Sequence, residues 1–237
     1  MARLTLFQAI ILMLVTCQQP GPQPDRSILG FSLGHSREDK TLAERMLADV
    51  DKHYNALATM NLHFEEFYRV NGRERRASGE AFFKKLGLMR WEYDEPEEKL
   101  FVCDGKTAYL YSPSDRLVRH APIKKIDDLR SPLRFLLGKS RLARELERAN
   151  LPDEVKPLRP GNIVISGKPT NYSDRVETVW VEVSPEHRID RLVIKNVDGA
   201  ETEFRFSNQQ ENIKIQDARF RFTPPSGVEV VEDTVLE

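Results

Sequence analysis

From Leu88 to Tyr93 the sequence alternates as an extended strand does. Met89, Trp91 and Tyr93 fall on one side of a strand, and Arg90 and Glu92 fall on the other. Lys84-Lys85 leads into this strand. A second short strand, Lys99 to Cys103, runs into Asp104-Gly105, a strong two-residue hairpin signal. Thr107 to Tyr111 returns, and Ser112-Pro113-Ser114-Asp115 makes the next turn. A meander of this kind presents one large, apolar, aromatic face that something must cover.

The neighbouring segments extend the pattern. Thr41 to Leu57 reads as an amphipathic helix, with Leu42, Met46, Val50, His53 and Leu57 at helical spacing and Leu47 and Tyr54 beside them. Met60 to Phe64 alternates as a strand, Asn71-Gly72 marks a turn, and Gly79 to Lys84 is a strand carrying Phe82 and Phe83. Pro132 fits a first helical position, opening a short apolar helix of Leu133, Phe135, Leu136 and Leu137 that stops at Gly138. Leu142, Leu146 and Leu151 continue on a second, charged helix. Strands return at 163–165, 178–183, 191–195 and 203–206, and the last ends in Phe220-Arg221-Phe222-Thr223-Pro224-Pro225. Strands dominate, so the expected fold is mainly β within the α+β class: one highly curved antiparallel sheet, with helices over one face or mouth as a plug or lid.

The start of the chain reads differently. Arg3 and the apolar run from Leu4 to Val15 fit an export signal, because a membrane span needs ~20 apolar residues. Two readings of Cys17 stand. Leu14-Val15-Thr16-Cys17 matches a lipoprotein cleavage site except for Thr16, which makes Cys17 a possible lipidation site; otherwise Cys17 is a chance cysteine in an apolar run. The organisation expected is a signal peptide over 1–16, a flexible tether rich in Pro and Gly over 17–38, and one folded domain over 39–237. Removing Arg3 with the signal takes the formal charge from −1 to −2 (−1 − 1 = −2), which argues against nucleic acid as a partner.

No catalytic constellation stands out. His35, His53, His63, His120 and His187 have no metal-ligand spacing, the one Gly-x-Ser-x-Gly match (Gly30 to Gly34) falls in the Pro- and Gly-rich stretch before the first helix and not between a strand and a helix, and the sequence contains no phosphate loop. The expectation is no enzyme, no metal and no cofactor. The apolar face is the better candidate, carrying Met60, Leu62, Phe64, Met89, Trp91, Tyr93, Leu100 and Val102, with Trp180 a further candidate. Ordinary core would account for it from pattern alone. Its Met and aromatic side chains suit variable apolar ligands, however, and the helix with Leu133, Leu136 and Leu137 suits a cover. Lys85 is placed at the rim, where it would bond carbonyls of that cover as a lid latch. Glu66 is the one acidic side chain that alternation brings to this face.

The run from Lys84 to Pro96, then Asp104-Gly105-Lys106-Thr107, Tyr109-Leu110-Tyr111 and Pro113, resembles the LolA family of periplasmic outer-membrane lipoprotein carriers. Ser131-Pro132-Leu133 to Gly138 looks like its central helix, and Phe220 to Val228 like its last strand and tail. The resemblance implies an unclosed β-barrel with helices as a lid over an apolar cavity. It implies a periplasmic monomer that takes acylated lipoproteins from an ATP-driven inner-membrane extractor and passes them to an outer-membrane receptor. Two positions depart from the family pattern: Leu86 stands where a proline follows the basic pair, and Lys85 where the family has an arginine. Lipid on Cys17 would instead favour a membrane-anchored acceptor or lipid-binding sensor of the same fold.

Overall fold

The computed structural model describes residues 37–85, 87–123, 141–170 and 173–232. The signal, the tether with Cys17, and the apolar segment with Leu133, Leu136 and Leu137 lie outside them.

Helix α1 (Arg37–Ala56) leads into a meander of β1 (Thr59–Val70), β2 (Arg73–Lys84), β3 (Leu88–Glu95), β4 (Lys99–Asp104), β5 (Thr107–Ser112) and β6 (Leu117–Pro122). The one-turn α2 (Leu142–Glu145) precedes β7 (Leu146–Asn150), β8 (Ile163–Pro169), β9 (Val176–Val183), β10 (Ile189–Asn196) and β11 (Glu201–Glu211). A short 3-10 helix (Asp217–Phe220) and β12 (Glu229–Glu232) follow. All twelve strands form one sheet in the order β12-β6-β5-β4-β3-β2-β1-β11-β10-β9-β8-β7. β12 and β7 end it without pairing to each other, so the barrel is unclosed. β12 runs parallel to β6, and every other ladder is antiparallel.

The core lies on the inner face. Ala43, Leu47, Val50 and Tyr54 of α1, with Leu57 just past its end, are spaced four, three, four and three apart and join one buried cluster with Met60, Leu62, Phe64, Trp91, Val181, Leu192, Phe204 and Phe206. The buried stripe is rotated from the expected one: Leu42, Met46 and His53 only flank it. Asp51 fastens α1 to the chain near β7 by accepting bonds from the backbone N–H groups of Leu142 (2.7 Å) and Ala143 (3.1 Å). The Tyr54 hydroxyl accepts the N–H of Ile189 at 2.9 Å, tying the same helix to β10.

Two elements differ from expectation. The second charged helix is only one turn, and its expected continuation is β7. Leu146 and Ala149 are both buried because the ladder to β8 shifts register between Glu147 and Asn150. That bulge lets Leu146 and Ala149, three apart, both face inward. The segment around Phe220 to Pro225 is a 3-10 turn and irregular chain laid on the outer face; the last strand comes later, at β12.

Candidate functional site

Cross-strand register defines the inner face, because directly opposed residues share a side. β1 contributes Met60, Leu62, Phe64 and Glu66. These oppose Phe83, Ala81, Gly79 and Ala77 of β2. Phe83, Ala81 and Gly79 in turn oppose Met89, Trp91 and Tyr93 of β3. The small residues of β2 leave room for the rings on either side of it. Trp91 meets Phe64 edge-on with centroids 4.7 Å apart, Phe83 at 5.6 Å and Phe204 at 6.2 Å. Its indole N–H points to the thioether sulfur of Met89, 3.1 Å away on the same strand face. Gly79 is required here: a Cβ would lie 1.9 Å from the Glu92 carbonyl oxygen, at a bulge where β2 and β3 shift register.

Leu62, Phe64, Trp91 and Tyr93 are therefore buried on the inner face, with Met89 packed against them. Leu100 and Val102 are not. Register sets Phe101 opposite Trp91 and Cys103 opposite Met89, whereas Leu100 opposes Glu92 and Val102 opposes Arg90. The turn between β3 and β4 decides this parity, and alternation within either strand cannot reveal it. Phe101 and Cys103 are the inner-face residues that sequence reasoning missed; counting across that turn was the only signal available. Trp180 also belongs outside, opposite Val193 of β10, whose inner residue Leu192 opposes Val181.

The outer face explains what Leu100 and Val102 do. Val102 is fully buried, the 3-10 helix lies against β3 and β4, and its Phe220 is 1% exposed. Phe222 packs its ring 5.5 Å from Tyr109 and 5.8 Å from Tyr111. Lys84 bonds the Asp217 carboxylate and the Ile215 carbonyl, fastening this segment down. Lys85 instead projects into solvent at the end of β2, its backbone N–H donating to the Ala58 carbonyl at 3.0 Å. Farther along the outer face, Glu203 is 1% exposed and ion-paired with Arg69, Arg191 and Arg205 at 2.7–2.8 Å. Burial raises its pKa, but hydrogen bonds from Arg205 and Arg69 outweigh that and hold it below the usual glutamate range.

One polar group interrupts the inner face. The Tyr93 hydroxyl donates to Oε2 of Glu66 at 3.3 Å, reaching diagonally across β2 where Ala77 and Gly79 leave space. Burial pushes the Glu66 carboxyl up to about 7, against the lowering effects of the Tyr93 bond and the Lys99 charge. Burial likewise drives the Tyr93 phenol upward. Among the described residues no cluster of His, Cys, Asp or Glu could hold a metal ion.

The family model for outer membrane lipoprotein carrier protein LolA matches residues 57–223. The chain belongs to the LolA family. That match spans β1 through β11 and the outer-face segment up to Thr223, leaving α1 and β12 outside it. Among curated LolA relatives, the outer-membrane lipoprotein carrier protein of Bordetella avium is 32% identical over 157 residues, covering 65% of this chain and 71% of the relative. That of Nitrosomonas europaea is 27% identical over 163 residues, covering 67% and 74%. A solved LolA superfamily protein from Nitrosomonas europaea covers 76% of this chain and 97% of its own, with a TM-score of 0.40 and 10% identity.

Proposed function

We propose that this chain is a periplasmic carrier that holds the acyl chains of lipoproteins against its inner face and takes them from the inner to the outer membrane. The observation that carries this reading is the family match over 57–223. The inner face supports it by gathering Met, Leu and aromatic side chains into one apolar cluster. Each methylene exposed to water costs ~0.8 kcal/mol, so an acylated protein cannot cross an aqueous compartment unshielded. Leu62, Phe64, Met89, Trp91 and Tyr93, joined by Phe101, are the acyl-contacting residues in this reading. Lys85 is the latch residue for a cover that includes Leu133, Leu136 and Leu137. The chain works as a monomer between an ATP-driven extractor and an outer-membrane receptor, and no covalent chemistry is asked of it.

The test is a release assay. The chain carrying Cys17→Ser, without residues 1–16, is added to spheroplasts that hold newly made lipoproteins and the extractor. Lipoproteins in the supernatant, bound one to one, are the expected result. No release, while a LolA relative works alongside, would turn the reading toward an anchored acceptor that uses lipid on Cys17.

A further inference from the structure

The inner face is graded along its strands. The β1 row runs Met60, Leu62, Phe64, Glu66; the β3 row runs Met89, Trp91, Tyr93; the β4 row, in register with it, runs Cys103, Phe101, Lys99. On β11, Phe206 opposes Phe64 and Phe204 opposes Glu66, while Thr202 opposes Tyr68 one step further. β1, β3 and β4 thus place their polar inner residues, Glu66, Tyr93 and Lys99, at the same end, with Thr202 of β11 nearby. On β1 to β4 the opposite end carries the apolar Met60, Phe83 and Met89, while β11 sets Glu211, paired with His53 of α1, opposite Met60 there.

A carboxylate is costly in such a place. Glu66 is 3% exposed, and its hydrogen-bond partner among the described residues is Tyr93, itself 7% exposed. Lys99 is the cation facing it, and Lys99 is also paired with Glu97 at 3.2 Å. One phenol bond at 3.3 Å leaves a carboxylate, which has about four acceptor sites, with capacity for another donor.

We propose that Glu66, held by Tyr93, is a polar subsite that accepts a hydrogen bond from the head of the acylated ligand, such as the amide N–H joining an acyl chain to its polypeptide. The tail then lies along Phe64, Trp91 and Met89 toward the apolar end. The grading sets the ligand's direction, and the subsite separates an amide-linked acyl chain from a plain ester. This rests on the acyl-carrier reading above.

The probes are N-ethyldodecanamide and ethyl dodecanoate, which have the same length and differ only in N–H against O. Both are titrated calorimetrically into the full chain at a pH above the Glu66 titration. The wild-type chain should bind the amide about tenfold more tightly, the worth of one hydrogen bond to a charged acceptor. Glu66→Leu should bring the two within about twofold while still binding the ester. Glu66→Gln, which keeps the shape and a neutral acceptor, should fall between, and it answers the question if the leucine variant does not fold. Equal binding of both probes by the wild type, or a preference that survives in the folded variants, overturns the subsite while leaving the carrier reading intact. Binding of neither probe overturns both.

Discussion

Phe101 on β4 lies directly across the ladder from Trp91 on β3. It takes the inner-face position expected for its neighbours Leu100 and Val102. The two faces should therefore answer differently to mutation. Phe101→Ala is expected to weaken acyl-probe binding severalfold, with a loss of stability smaller than that of a fully buried ring. Val102→Ala, at a fully buried outer-face site, should cost about 1–3 kcal/mol by denaturant unfolding and leave probe affinity unchanged. Equal effects on binding would show that the two residues do not divide between faces.

Trp91 touches three other rings at once. Trp91→Ala should destabilise the fold by about 3–5 kcal/mol, with Trp91→Phe losing markedly less because an edge-on contact to Phe64 survives. Urea unfolding followed by circular dichroism measures both. A loss under about 1 kcal/mol for the alanine variant would mean that the ring cluster contributes little to the fold.

Glu66 sets a pH dependence with a definite sign. Its folded pKa, about 7, lies above the ordinary glutamate value of 4.5, so the folded state holds the proton more tightly than the unfolded state. Its contribution is fully present below the unfolded value and is lost as pH rises through the folded one. Stability should fall between about pH 4.5 and 7 by an amount on the order of 1–3 kcal/mol. Glu66→Gln should flatten that part of the profile, which unfolding midpoints at stepped pH would record. An unchanged slope in the variant would assign the dependence to other groups.

Glu203 is the anion for three guanidiniums on the outer face, and the same region sets Arg69, Arg76 and Arg205 within 5.4 Å of the Phe67 ring. Glu203→Ala removes a buried partner and leaves like charges facing each other. The expected cost is about 3–5 kcal/mol, partly recovered by replacing Arg191 with methionine in the same chain. A double-mutant cycle on unfolding free energy tests this, and simple additivity would sever the proposed coupling.

The sequence by itself determined the strand-dominated architecture. Period-two alternation from Leu88 to Tyr93, the Asn71-Gly72 and Asp104-Gly105 turns, and the stripe in α1 are local signals, and each acts over a few residues. Alternation also put Leu62 and Phe64 on one side of β1, and Met89, Trp91 and Tyr93 on one side of β3; that these two sides form one face follows from their pairing through β2. Tertiary structure decided what had to cross a turn or a bulge. The β3–β4 turn selected Phe101 over Leu100 and Val102, and pairing with β8 made a strand of Leu146 to Asn150, where the leucine spacing reads as helix. The outer-face cover of Phe220 and Phe222 over Val102 and Tyr109, and the reach of Tyr93 across β2 to Glu66, depend on strands brought together in space. Side-chain direction repeats within a strand, but register between strands is a property of the pair, and only the assembled sheet contains it.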